Sequence, residues 1–429
     1  MDSIYALSSG AGPSGVAVIR ISGPKAGDAL MALCGAIPEP RQAALRTLRR
    51  PGDNAVLDRA LVLWFPGPRS ETGEDMAELQ VHGSRAVVQA LFGALCGAGL
   101  RLAVPGEFVR RAFVNGKLDL TAVEGLADLI AAETEVQLRQ AIGQAGGALA
   151  RRAEGWRKTL IDLRAAIEAR LDFADEGDVA EALPADFGKR IAALTREMRE
   201  ALANAVSGER VREGFRVAIL GRPNAGKSSL LNALSRRDVA IVTEEAGTTR
   251  DVLEVPLDLG GYPALAFDTA GLREAGSAAE AEGVRRARKA AENADLVLWL
   301  EDCTLPAEPL PHVAGRPVWR VATKTDLANG PVDGIGISVV SGAGLPELIA
   351  KIAQAAADSM GSGSALVTRR RQAEAIESAV AALDDVGGGS DEIAADLLRS
   401  ASEAIGRLSG RVDVEDVLDR LFSEFCIGK

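Results

Sequence analysis

The alternation of apolar and polar positions changes character three times along the chain, and each change marks a different kind of unit. Between residues 14 and 120, short apolar runs of strand length, VAVIRIS (16–22), ALVLWF (60–65) and AELQV (77–81), precede an apolar pattern of helical spacing over 84–98, which predicts an α/β unit. From Leu118 to about Val211 strand patterning disappears. Leu160, Leu163, Ile167 and Leu171, and again Ile191, Leu194, Met198 and Leu202, recur at the spacing that lines one face of a helix. At Phe215 the run FRVAIL opens a stretch in which strands alternate with helices to about residue 358, the pattern of a helix-covered parallel sheet. After the linker-like MGSGSAL (360–366), helical spacing returns through Ile376, Val380 and Leu383, then Leu397, Leu398 and Ile405, and finally Val417, Leu421 and Phe422. The simplest architecture is multidomain α/β plus α: an α/β domain at 1–118, a discontinuous helical domain at 119–212 and 366–429, and an α/β domain inserted at 213–365.

Composition adds exclusions. A chain of 429 residues, 47% of them apolar, is too long for one core and apolar enough to fill several. The start, MDSIYALSSGAG, lacks a basic segment followed by an apolar one, and no apolar run approaches the roughly 18 residues that span a bilayer, so a soluble cytoplasmic protein is expected, with no membrane partner. Cys34, Cys96, Cys303 and Cys426 are far apart, and His82 and His312 have no ligand spacing to them, so neither a disulfide framework nor a zinc site is supported. A net charge of −11 argues against nucleic-acid binding by blanket phosphate neutralisation; any RNA contact must be local or shared. The run Arg369, Arg370, Arg371 reads as a hydrated helix start rather than an RNA site. The terminal FCIGK loosely resembles a prenylation signal, which Gly428 and Lys429 fit poorly.

The chemistry begins at GRPNAGKSS (221–229), which follows a predicted strand and opens a predicted helix. Gly221 and Gly226 let the backbone wrap phosphates with its amides, Lys227 suits the β- and γ-oxygens, and the Ser228 hydroxyl suits Mg²⁺. Asn224, Ala225 and Ser229 complete the loop. Downstream, Thr248 and Thr249 in AGTTRD, Asp268, Thr269, Ala270 and Gly271 in DTAG, and Lys324 and Asp326 in TKTD follow in the order of the GTPase motifs. Thr249 can join Ser228 on Mg²⁺, the Gly271 amide can meet the γ-phosphate, and the Asp326 carboxylate can accept from two guanine N–H groups. Thr323 stands where asparagine is usual, which weakens an expected hydrogen bond to the base but keeps GTP favoured over ATP. Ser338 in ISVVSG fills the fifth motif. Leu272 follows DTAG where Ras-like enzymes carry the water-orienting glutamine, so the hydrolytic helper must come from elsewhere.

With VAVIRISG, LWFPGP, TGEDMAELQVHG (72–83), PGEFVRRAFVNGKLDL (105–120), the VTEEAGTTRDV loop, DTAGLRE and FCIGK all present, the chain resembles the MnmE (TrmE) family of tRNA modification GTPases over nearly its whole length. The resemblance implies an N-terminal domain binding a reduced folate such as 5-formyltetrahydrofolate, a discontinuous helical domain, an inserted P-loop GTPase domain and a homodimer. It implies an FAD-dependent partner, MnmG, with which such proteins install an aminomethyl-type group at C5 of the wobble uridine of certain tRNAs. By matching motifs it places Arg20, Glu78, Lys117 and Lys429 at the folate, although each alone reads as a solvated surface charge. It places Asn224, Thr243, Glu245 and Thr248 around a K⁺ ion whose charge replaces an arginine finger. It makes Glu280 the water-positioning residue, with Glu282 the alternative register, and Cys426 a residue needed for modification but not for GTP hydrolysis. A regulatory switch or a ribosome-assembly GTPase is the competing reading; neither explains FCIGK together with the N-terminal motifs.

Overall fold

The computed structural model describes residues 2–10, 12–172, 183–237, 239–241, 253–268, 291–307, 309–313, 315–328, 330–410, 415–423, 425 and 428. The chain divides into two compact units, Met1–Ala127 with Ala150–Arg157 and Glu403–Lys429, and Asp128–Leu149 with Lys158–Ser402.

The first unit is built on a six-stranded sheet of β1 (Ile4–Leu7), β2 (Ser14–Ser22), β3 (Ala44–Arg49), β4 (Val56–Phe65), β5 (Met76–Gly83) and β6 (Arg101–Leu102), in the order β3-β4-β5-β2-β1-β6. Only the β1–β6 pairing is parallel. Period-two alternation sends Ile19 and Ile21 of β2 into the core and leaves Val18 and Arg20 on the opposite face. Helices α1 (Ala26–Cys34) and α2 (Arg85–Gly97) bury Leu30, Leu91 and Leu95 against Ile19, Val62 and Leu79. The Ser84 hydroxyl caps α2 by accepting from the Val87 amide. A second core joins α3 (Glu107–Val114), α4 (Leu120–Ala131) and the last helix: Val109, Leu120 and Val123 meet Leu421, Phe422 and Phe425. Gly106 permits this docking. Its φ is +67°, and a Cβ there would lie 2.5 Å from the Phe422 carbonyl oxygen.

The second unit holds a sheet of β7 (Phe215–Gly221), β8 (Leu253–Asp258), β9 (Pro263–Asp268), β10 (Leu296–Asp302), β11 (Val318–Thr323) and β12 (Ile335–Gly336), ordered β12-β11-β10-β7-β9-β8. All its pairings are parallel except β8 with β9. This is a doubly wound, mostly parallel α/β sheet, of the kind in which ligands sit at the carboxyl ends of the strands. On it pack α9 (Lys227–Ser235) and α10 (Leu345–Met360), burying Leu230, Leu234, Leu348 and Ile352 against Ile219, Leu298 and Val321.

Helices α5 (Glu135–Ala145), α7 (Phe187–Leu202), α8 (Ala205–Glu213) and α11 (Arg370–Asp384) belong to the same unit, with α7 packed on α11 across the inserted sheet in sequence. One face of α5 carries a ladder of glutamines. The Gln137, Gln140 and Gln144 amides donate to the carbonyls of Arg212 (3.3 Å), Gly208 (2.9 Å) and Leu366 (2.8 Å), so a single helix holds both segments through which the chain enters and leaves the sheet. Arg369 is not the hydrated residue its sequence neighbours suggest: it is mostly buried and pairs with Asp128 at 2.6 Å, whereas Arg370 is exposed. Among the described residues no helix is long and apolar enough to cross a membrane.

Candidate functional site

The loop from Gly221 to Gly226 turns sharply between β7 and α9, with Gly221, Asn224 and Gly226 at φ +146°, +62° and +92°. Lys227 folds back under it, donating from Nζ to the carbonyl oxygens of Gly221 (2.9 Å) and Arg222 (2.8 Å). Burial pushes the Lys227 ammonium below its ordinary value against the opposing pull of Asp268. The Ser228 hydroxyl donates to Asp268 Oδ2 at 2.8 Å, which joins the start of α9 to the end of β9. A hydroxyl and a buried carboxylate next to a cationic side chain and a helix N-terminus are the donor set that a magnesium–triphosphate group needs, and the residues present fit it.

On the base side, parallel pairing sets Asp302 opposite Thr323. Asp326 lies in the 3₁₀ turn Thr325–Leu327, and its Oδ1 accepts from the buried Ser338 hydroxyl, which fixes the carboxylate. Lys324 sits in the left-handed region (φ +59°) with Nζ 2.5 Å from Asp302 Oδ2. The hydrogen bond from Lys324, aided by those from Thr304, holds the Asp302 carboxyl at about 2. Thr323 is only 2% exposed, and its hydroxyl lies 2.9 Å from the Ala225 carbonyl and 3.1 Å from that of Glu301. Its hydroxyl is therefore directed at backbone carbonyls, one of them in the phosphate loop.

In the first unit, three motifs distant in sequence converge. Arg20 Nε donates to Glu78 Oε1 at 2.9 Å and its Nη1 lies 2.9 Å from Glu71, so Arg20 and Glu78 are half-buried partners and not the solvated charges each suggests alone. Lys117 is exposed, with its stem close to Gly73, where a Cβ would sit 3.2 Å from Lys117 Cε; the neighbouring Asn115 amide donates to the Thr72 carbonyl at 2.7 Å. Gly428 meets the end of β1 in the same unit. Gly428, at φ +105°, accepts from the Ser8 hydroxyl at 2.8 Å, and a Cβ on it would lie 2.2 Å from the Leu7 carbonyl, beside the β1–β2 pairs that lead to Arg20. An arginine, a carboxylate and a lysine carried by these three motifs are of the chemical types that fit the acidic tail and N–H-bearing edge of a folate.

Thr243, Glu245, Thr248, Thr249, Thr269, Ala270, Gly271, Glu280, Glu282, Cys426 and Lys429 lie outside the described residues. Asp302 was not picked out by sequence reasoning; the signal was present in an acid ending the apolar run LVLWLED, where α/β sheets place ligands. The same holds for Glu107 and Arg111, which the motif PGEFVRRAFVNGK carries for an internal charge network with Asp2, Glu74 and Arg101.

Comparison with known proteins gives two family matches: the MnmE helical domain over residues 120–426, and the GTP-binding protein TrmE N-terminus over residues 3–117. The chain is similar to the tRNA modification GTPase MnmE of Rhodopseudomonas palustris, 50% identical over 99% of this chain and 98% of that one. It is likewise similar to that of Methylorubrum populi, 52% identical over 100% and 98%. Among solved structures, an Aquifex aeolicus Era variant bound to GDP and aluminium fluoride is 27% identical over 33% of this chain and 56% of that one, with a TM-score of 0.27.

Proposed function

The chain belongs to the MnmE family of tRNA modification GTPases, and on that premise we propose that it hydrolyses GTP to drive modification at C5 of the wobble uridine of certain tRNAs in the cytoplasm. It does so as a homodimer with an FAD-dependent MnmG partner, installing an aminomethyl-type group with a one-carbon unit from a reduced folate of the 5-formyltetrahydrofolate type. The observation that carries the reading is the Lys227–Ser228–Asp268 arrangement, in which the lysine, hydroxyl and carboxylate of a phosphate site stand together, within a chain that also pairs Arg20 with Glu78 and sets the Lys117 stem against Gly73.

In this reading Lys227 leaves the carbonyls of Gly221 and Arg222 for the β- and γ-phosphate oxygens, which offer it charge in place of dipoles. Ser228 and Asp268, with Thr249, hold Mg²⁺, which when bound neutralises charge developing on the phosphates. Asp326, held by Ser338, accepts from the guanine edge. Asn224, with Thr243, Glu245 and Thr248, holds K⁺; Glu280 orients the attacking water; Arg20, Glu78, Lys117 and Lys429 hold the folate; and Cys426 serves the modification chemistry. The test is the wobble-uridine nucleoside profile of cells lacking the protein. Loss of the modified nucleoside, restored by the wild-type chain and not by Lys227→Ala, is expected; an unchanged profile overturns the reading.

A further inference from the structure

Arg20 is engaged by two carboxylates of the chain itself. Its Nε donates to Glu78 Oε1 at 2.9 Å, and its Nη1 lies 2.9 Å from Glu71 Oε2. The two acids are held differently. Glu78 stands directly opposite Arg20 in the β2–β5 register, with a side chain 17% exposed, so strand pairing fixes it. Glu71 belongs to the connection between β4 and β5, and its side chain is 47% exposed. The backbone on either side of it is anchored. The Ser70 hydroxyl donates to the Glu74 carbonyl, and the buried Thr72 meets the Ser22 hydroxyl at 2.8 Å while its own carbonyl accepts from the Asn115 amide at 2.7 Å. Glu71 can therefore leave Arg20 by rotating its own side chain with no loop displaced, and a half-exposed ion pair gives up little when it opens.

Two carboxylates against one guanidinium leave a surplus of negative charge, which repels any ligand that brings a carboxylate of its own. We propose that Glu71 is a specificity-determining residue of this site, an internal counter-ion holding the place on Arg20 that a carboxylate of the ligand takes over, so that an acidic ligand binds by displacing it. The proposal rests on the reading that a reduced folate binds at Arg20. The glutamate tail of the folate supplies the incoming carboxylate. Exchange keeps the charge count on Arg20 unchanged, with Glu78 remaining on Nε as the fixed partner. The Lys117 stem, beside Gly73 two residues beyond Glu71, brings a second cation to the same stretch of loop. A pterin without an acidic tail has nothing to exchange for Glu71, so the residue bears on the choice between tailed and tail-free ligands.

The test measures the affinity of the full chain for 5-formyltetrahydrofolate and for the corresponding reduced pterin lacking the p-aminobenzoylglutamate tail, in the wild type, Glu71→Gln and Glu71→Asp. Melting temperature without either compound is measured alongside. Glu71→Gln removes the charge, whereas Glu71→Asp keeps it on a side chain one methylene shorter, which draws it back from Arg20. Glu71→Gln is expected to tighten the folate by about twofold to fivefold, the range of an exposed ion pair, and to leave the tail-free pterin unchanged. Glu71→Asp shows part of the same gain, and neither variant moves the melting temperature appreciably. Unchanged folate affinity in Glu71→Gln makes the pair an ordinary surface contact, and weakened affinity makes Glu71 a ligand contact in its own right; either overturns the proposal. So does an equal gain for the tail-free pterin, or a Glu71→Asp chain that binds folate as the wild type does, since net charge and not displacement is then the cause. Should the tail-free pterin bind too weakly to measure, the Glu71→Asp comparison decides. Absence of folate binding in all three chains overturns the functional reading at this site, and the inference falls with it.

Discussion

Arg111 is the residue whose loss the first unit should feel most, and replacing it by methionine isolates its charge from its bulk. Its guanidinium, 9% exposed, donates to Glu74 (2.9 Å), Glu107 (3.0 Å), the Asp2 carboxylate (2.8 Å) and the Asp2 carbonyl (2.8 Å), while Glu74 and Glu107 are themselves 11% and 9% exposed. Removing one partner of a buried ion pair costs about 3–5 kcal/mol because the other charge stays behind without compensation. Glu107 keeps Arg101 at 2.6 Å and Glu74 keeps the Ser22 hydroxyl at 2.7 Å, which places Arg111→Met near the lower end, about 3 kcal/mol. That is about a hundredfold in the opening equilibrium of the unit. The assay is amide hydrogen exchange of peptides covering β5 and α3 in the full chain, corrected for intrinsic rates. The pH dependence gives a second check. Burial alone would raise the Glu107 carboxyl, but hydrogen bonds from Arg101, Val104 and Arg111 outweigh it and hold the group below its ordinary 4.5. Its contribution is therefore present above about 4.5 and is lost as pH falls through the lower folded value. The variant forfeits part of it, so the gap between the two proteins should narrow as pH is taken from 7 toward 4. Equal exchange at pH 7, or a gap that widens on acidification, would refute the reasoning.

Gly106→Ala forces a left-handed alanine against the Phe422 carbonyl and should cost about 1–3 kcal/mol, seen as faster proteolytic release of the C-terminal helix; undiminished resistance would contradict the docking described. Gln144→Leu removes the amide that serves the Ala365 and Leu366 carbonyls, and faster exchange around residues 365–368, at a cost of about 1–2 kcal/mol, is the expected result. Asp326→Asn should turn preference from guanine toward xanthine nucleotides, since an amide donates where the carboxylate accepted; retained selectivity for GTP in competition binding would show that another group reads the base. Exchanging K⁺ for Na⁺ at equal ionic strength should slow GTP hydrolysis in the wild type and have little effect in Asn224→Ala, and equal rates in the two salts would remove Asn224 as a ligand.

The phosphate loop could be read from the chain because its chemistry is local: nine consecutive residues fix the turn, the helix start and the lysine that serves it. Strand patterning likewise located β2, β4, β5 and β7, since a buried face imposes its period on neighbouring residues whatever the partner is, whereas β1, β3 and β6 were not picked out. Partners are another matter. Arg369 reads as one of three like charges until a helix 241 positions away brings Asp128 to it. Thr323 reads as a substitute for asparagine, but that its hydroxyl lies against the Ala225 carbonyl appears only once β10 and β11 pair. Within PGEFVRRAFVNGKLDL, no spacing separates Glu107 and Arg111, which are consumed by Asp2, Glu74 and Arg101, from Lys117, which stays exposed. The sequence by itself determined which residue types stand on which element. Which charge meets which, and which is left over for a ligand, was decided only by the tertiary structure, because side-chain hydrogen bonds and ion pairs act over a few ångströms and long-range packing sets those distances.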